Sequence, residues 1–183
     1  MRTGWLIVAT FLLPSVVHAQ EVASGPEKGK PVPALKVFDA TGTHEGKDVD
    51  YTAERKDKPT IYLLVNADQF SRPMARFMRL LDEKVTKDGE PRYIVAVWVG
   101  GDKDKNKEYL PRAQMSLKLE STAMTAFMGD KAGPEGWTLN EDAHLTAVVA
   151  VKGKVAVTFG YTSINDTDVK AVHEALIKIA PVK

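Results

Sequence analysis

Ser71 and His144 are the two residues of this chain that could act together as a nucleophile and its base. A serine hydroxyl is inert at neutral pH until a base takes its proton, and imidazole titrates in the range needed to do so. Asp142 or Asp68 could orient the ring, completing a triad of the kind recognised by geometry rather than by order along the chain. The same serine also has a structural reading. It stands directly ahead of an apolar-periodic run, where Ser is a favoured helix N-cap. The cap needs no further assumption and is the expected role.

The chemistry the chain lacks is defined more sharply. There is no cysteine, so thiol catalysis, disulfide exchange, thiolate metal sites and iron–sulfur clusters are all excluded. Outside the first 19 residues the histidines are His44, His144 and His173, with no His-x-x-x-His spacing, and no metal or other cofactor is expected. His173 beside Glu174 reads as a solvated or half-buried helix pair. The run Asp102 to Glu108 interleaves lysines with acids, unlike a calcium loop, and should solvate a helix start. The glycine-rich run 129–136 lacks the phosphate-loop pattern. Trp137, just after it, either pins that loop to the domain or offers a contact site.

Arg72, Arg76 and Arg79 place positive charge near the start of one helix, where the dipole is already positive. Neutralisation by Asp82, Glu83 or Asp68 is the simpler account. An anion or acidic peptide at the helix start is the sharper one.

These residues need elements to hold them. Met1 to Ala19 has the pattern of a secretory signal peptide: Arg2, the apolar run Trp5 to Leu13, then small residues before Gln20. The run is shorter than the ~20 residues needed to span a bilayer. The expected organisation is signal peptide 1–19, exposed lead-in 20–33 and one domain 34–183, exported to a periplasm or the outside medium. Cleavage would remove one arginine and leave 24 basic against 24 acidic residues, without a basic block. A nucleic-acid binder and an integral membrane protein are therefore not expected.

Within the domain, Ala34–Asp39 alternates like a strand, the polar stretch 44–58 is expected to anchor inward through Val49 and Tyr51, and Thr60–Val65 and Arg92–Val99 are apolar runs suited to central strands. Met74, Phe77, Met78, Leu81 and Val85 form one helical stripe, with Arg72, Arg76, Arg79, Asp82 and Glu83 on the other faces. Tyr109, Leu110, Ala113 and Leu117 suggest a second helix around Pro111, and 121–128 a short strand. Leu145–Val151 and Lys154–Phe159 flank Lys152-Gly153 as a hairpin. Val169, Val172, Leu176 and Ile179 give a last helix, capped by Asn165 or Asp166 and stopped by Pro181. Helices between apolar strands, followed by a hairpin, give an α/β fold with a mixed sheet.

This order resembles the thioredoxin-like fold in its longer redoxin form, as in peroxiredoxins and exported thiol–disulfide proteins. Gly29-Lys30-Pro31-Val32-Pro33-Ala34-Leu35 is similar to the redoxin entry to its first strand, and Asp39-Ala40-Thr41-Gly42 to the turn after it. Phe70-Ser71-Arg72-Pro73-Met74 stands where the family carries its W-C-G-P-C motif, with Ser71 and Met74 in the cysteine positions. The family's cis-proline would fall in Asp142-Ala143-His144-Leu145-Thr146, which has no proline. The resemblance spans about residues 29–180. It implies a three-layer sandwich, a mixed β-sheet with helices on both faces, and not the family's thiol chemistry.

The resulting expectation is an exported, redox-inactive module that binds a protein or peptide in the former active-site groove, or serves as an accessory packing module in a larger assembly. Phe70, Ser71, Arg72, Pro73, Met74, His144 and Leu145 would line that groove. The competing expectation is a non-thiol enzyme using Ser71 and His144 there.

Overall fold

The protein is described by a computed structural model covering residues 21–181, so the signal-peptide pattern lies outside the described residues. The strands are β1 (Lys36–Asp39), β2 (Lys47–Asp50), β3 (Thr60–Asn66), β4 (Tyr93–Val99), β5 (Thr122–Ala126), β6 (Leu145–Val151) and β7 (Lys154–Tyr161). The helices are α1 (Tyr51–Arg55), α2 (Arg72–Asp88), α3 (Lys103–Leu117) and α4 (Asp168–Ile179). One sheet runs β2-β1-β5-β4-β3-β6-β7. β3 pairs in parallel with β4, and β4 with β5, while the other pairings are antiparallel. The mixed α/β sheet expected from the apolar runs is the observed one.

The central strands are apolar because both faces are covered. Ile61, Leu63 and Val65 of β3 belong to a core closed by the α2 stripe and by Val169, Val172 and Leu176 of α4. Met74, Phe77, Met78, Leu81 and Val85 are all buried, so the helical periodicity reads correctly. Tyr62 and Leu64 point into a second core with Leu35, Tyr51, Val97, Val148 and Trp137. Among the described residues, the short α1 is the one helix on that face. The rest of its cover comes from the N-terminal segment and the loop between β5 and β6.

The N-terminal segment does not stand free. It runs antiparallel beside β7, with bridges Glu21↔Tyr161 and Pro31↔Lys154, and Val22 N–H donates to Gly160 O at 2.9 Å. Ser24 is buried and its hydroxyl lies 2.6 Å from that of Thr146. Composition made 20–33 look like exposed chain; only 27–31 is continuously exposed. The segment covers an edge whose unpaired backbone would otherwise template association. Gly160 permits the approach, since a Cβ there would lie 2.3 Å from Val22 O.

Other local expectations divide cleanly. The hairpin turns at Lys152 and Gly153, both at positive φ, as a type I′ turn requires. α3 is continuous through Pro111. α4 starts at Thr167 without a side-chain cap, and the Asn165 N–H donates instead to Asp168 Oδ2 at 2.8 Å. The polar stretch 44–58 forms β2 and α1, anchored by buried Tyr51, while Val49 is half-buried.

Candidate functional site

Ser71 follows the 3-10 turn Ala67–Gln69 at the end of β3 and sits just before α2. Its hydroxyl accepts from the Met74 N–H at 3.5 Å, a long cap contact, and the residue is exposed. His144 stands opposite, one residue before β6. Its carbonyl accepts from Asn66 N–H at 3.0 Å and its N–H donates to Tyr161 O at 2.8 Å. The backbone thus brings the end of the central strand and the hairpin entry together.

The side chains do not complete a triad. Among the described residues no hydrogen bond joins Ser71 to the His144 imidazole, nor either to the carboxylate of Asp68 or Asp142. Asp142 N–H donates to Asn140 Oδ1 at 2.9 Å, and Asp68 N–H to Asn66 Oδ1 at 3.1 Å. The hydroxyl is therefore used as a cap, the simpler of its two roles.

The expected groove residues separate by burial. Met74 and Leu145 are fully buried in the first core and cannot line a surface. Phe70 is half-buried, tilted on Trp98 with ring centroids 5.1 Å apart and edge-on to Tyr109 at 6.2 Å. Ser71, Arg72 and Pro73 are exposed. They form a ridge between two open depressions. One, of about 490 Å³, lies toward α3 and is lined by Phe70, Ser71, Arg72, Tyr109 and Arg112 among others. The other, of about 510 Å³, lies toward the entry to α4 and is lined by Arg72, Pro73, Arg76 and Asn165–Thr167. His144 lines neither.

The three arginines meet three fates. Arg79 pairs with Glu83 at 2.6 Å, the helical i, i+4 pair expected. Arg76 pairs with Asp166 at 2.8 Å, a partner from the α4 entry that helix spacing could not reveal. Arg72, which borders both depressions, has no ion pair among the described residues. Asp82 is not on an outer face at all: it is buried and accepts from Glu120 N–H, Ser121 N–H and the Thr122 hydroxyl.

Four further chemistry-bearing residues have partners within the fold. Trp137 is fully buried, donates to Ala34 O at 3.1 Å and meets Tyr62 edge-on at 5.4 Å, so it pins its loop. His173 Nε2 lies 2.7 Å from Asp88 Oδ2 at the end of α2, rather than pairing with Glu174. His44 Nε2 lies 3.5 Å from Glu54. Asp102 caps α3, and the Lys105 N–H it accepts holds its carboxyl below the usual carboxylate range. Among the described residues no three His, Asp or Glu side chains cluster as metal ligands, and no helix is long and apolar enough to cross a membrane.

With this geometry in place, the fold can be set beside known proteins. No protein-family model matches the chain, and no curated protein matches it in sequence. Solved structures do. A peroxidoxin BcpB from Mycobacterium tuberculosis superposes with a TM-score of 0.61 at 13% identity, covering 84% of this chain and 98% of that one. A DsbF homologue from Corynebacterium diphtheriae gives 0.59 at 16% identity, covering 91% and 99%. A thiol peroxidase from Chromobacterium violaceum gives 0.58 at 12% identity, covering 87% and 91%. The chain has a thioredoxin-like fold. Its sequence contains no cysteine.

Proposed function

We propose that this is an exported, redox-inactive thioredoxin-like protein that binds an extended polypeptide across the start of α2. The observation that carries the reading is the exposed Ser71-Arg72-Pro73 ridge between two depressions. It stands where the resembled motif would place the thiols. Loss of the thiols removes the family's chemistry and leaves a surface of peptide dimensions. Arg72, Arg112, Phe70 and Tyr109 suit a segment with an acidic residue beside an apolar one, through charge-assisted hydrogen bonds and aromatic packing. Export rests on the signal-peptide pattern of residues 1–19.

The test places a photocrosslinker at Ser71, with a control at exposed Lys178 on α4, in extract from the source organism. A discrete product from position 71 alone, lost on Arg72→Glu and competed by a synthetic peptide from the captured partner, is expected. A product from position 71 that survives Arg72→Glu, or that forms equally from Lys178, would sink the idea. An accessory role as a packing module would have been favoured by an apolar patch on the last helix or the hairpin edge. The exposed large apolar side chains among the described residues are instead Tyr109 and Met115, both on α3.

A further inference from the structure

A separate cavity of about 460 Å³ opens at the carboxyl ends of β3 and β4. Its floor is Leu64 and Val99, both members of the second core, so it lies on the sheet face away from α2. This is the position at which open α/β sheets offer a crevice beyond their strand ends. The volume falls within the range of small-molecule sites.

The far wall is the loop between β5 and β6, and it is held in place. Trp137 anchors it in the core, Thr138 Oγ1 donates to Gly25 O at 2.8 Å, and Asn140 N–H donates to Ser24 Oγ at 3.0 Å. Gly100 supports the opening between the two walls. Its φ is +81°, and a Cβ there would stand 3.7 Å from Lys131 Cβ and 3.8 Å from Asp68 Oδ2. A preformed wall of this kind lowers the ordering cost of binding.

Asp68, Glu141 and Lys131 supply the charge around the cavity, and none has an ion pair or side-chain hydrogen bond among the described residues. Two carboxylates against one ammonium leave the lining net negative. The half-buried Leu139, beside the floor residues Leu64 and Val99, gives the cavity an apolar side against which an apolar group can pack.

We propose that this cavity binds a small organic ammonium compound, its cation held by Asp68 and Glu141 and its short apolar portion lying on Leu64 and Val99. The cavity shares no lining residue with the two depressions beside the α2 ridge.

The test uses the folded protein, residues 20–183, with three six-carbon probes: hexylammonium, hexanol and hexanoate. Amide resonances are followed by 1H–15N NMR at low salt. Hexylammonium should shift Asn66, Gly100 and Ala132 in a saturable way, with hexanol at least threefold weaker and hexanoate weaker still. Asp68→Asn with Glu141→Gln should raise the hexylammonium Kd roughly tenfold, as the loss of charge-assisted contact requires. Ala132→Trp, at an exposed position on the rim, should abolish the shifts while leaving the rest of the spectrum in place. Equal affinity for hexanoate, an unchanged Kd in the double variant, or shifts that survive Ala132→Trp would each overturn the proposal.

Discussion

The Asp82 carboxylate accepts the Thr122 hydroxyl at 2.6 Å, joining the middle of α2 to the first residue of β5. The same group accepts from the N–H of Ser121 at 2.9 Å and of Glu120 at 3.0 Å. These bonds satisfy the turn that leads from α3 into the sheet, and they hold α2 in the position that presents Ser71 and Arg72.

Asp82→Ala should therefore be among the more damaging single changes. It leaves at least three donors without their acceptor in a part-buried turn, and each orphaned donor costs about 1–3 kcal/mol. Relaxation will recover some of this, so a loss of about 3 kcal/mol in guanidinium unfolding is expected. Asp82→Asn retains one acceptor oxygen and should lose less. Equal stability of wild type and Asp82→Ala would contradict this account.

Alkaline pH should destabilise the fold through its buried tyrosines. Burial pushes the Tyr62 phenol up to about 12, and it raises Tyr51, Tyr93 and Tyr161 as well. Above pH 10 the unfolded chain loses these protons while the folded chain keeps them. Stability is then fully present below pH 10 and falls as pH rises through the window from 10 to the folded values. Each retained proton contributes a slope of about 1.4 kcal/mol per pH unit there. Unfolding midpoints should be flat from pH 7 to 9 and fall above 10. Tyr62→Phe should make that fall shallower; an unchanged slope would remove Tyr62 from the set.

Gly160→Ala tests the N-terminal strap. The added methyl would meet Val22 O at 2.3 Å, so backbone must move rather than a side-chain tip. Overpacking of this kind costs about 1–3 kcal/mol. The strap is held by backbone bonds along β7 and by Ser24, and displacement should expose its residues 21–26 to protease before the domain opens. Digestion of wild type and variant at the same rate would show that the strap tolerates the methyl.

The architecture was legible wherever burial imposed a period. The α2 stripe and the β3 and β4 runs read correctly because both sheet faces are covered, and the Lys152-Gly153 turn because its backbone needs positive φ. The second face was not legible. Apart from the short α1, its cover is a strap and a loop held by backbone bonds and by Ser24, Asn140 and Trp137, which carry no periodic signal. At the candidate site, proximity in sequence misled. Met74 and Leu145 lie close in the chain to exposed Ser71 and half-buried His144, but both side chains turn into the core. The Arg76–Asp166 pair and the Asp68–Lys131–Glu141 rim join segments too far apart in the chain for spacing to reveal.

The serine directly before α2 is a cap and not a nucleophile. Its hydroxyl accepts from Met74 N–H and makes no hydrogen bond to His144, so nothing in the resting geometry removes its proton. A fluorophosphonate should therefore leave Ser71 unlabelled, judged by intact mass and peptide mapping against a known serine hydrolase. The cap is long, at 3.5 Å, so Ser71→Ala should cost at the low end of the cap range, about 0.5–1 kcal/mol. Ser71→Asp, which keeps an acceptor and adds a charge favoured by the helix dipole, should be neutral or stabilising. Labelling at Ser71 that His144→Ala abolishes would reverse the assignment: binding would then tighten a dyad that the free protein leaves open, and the ridge would be an active site.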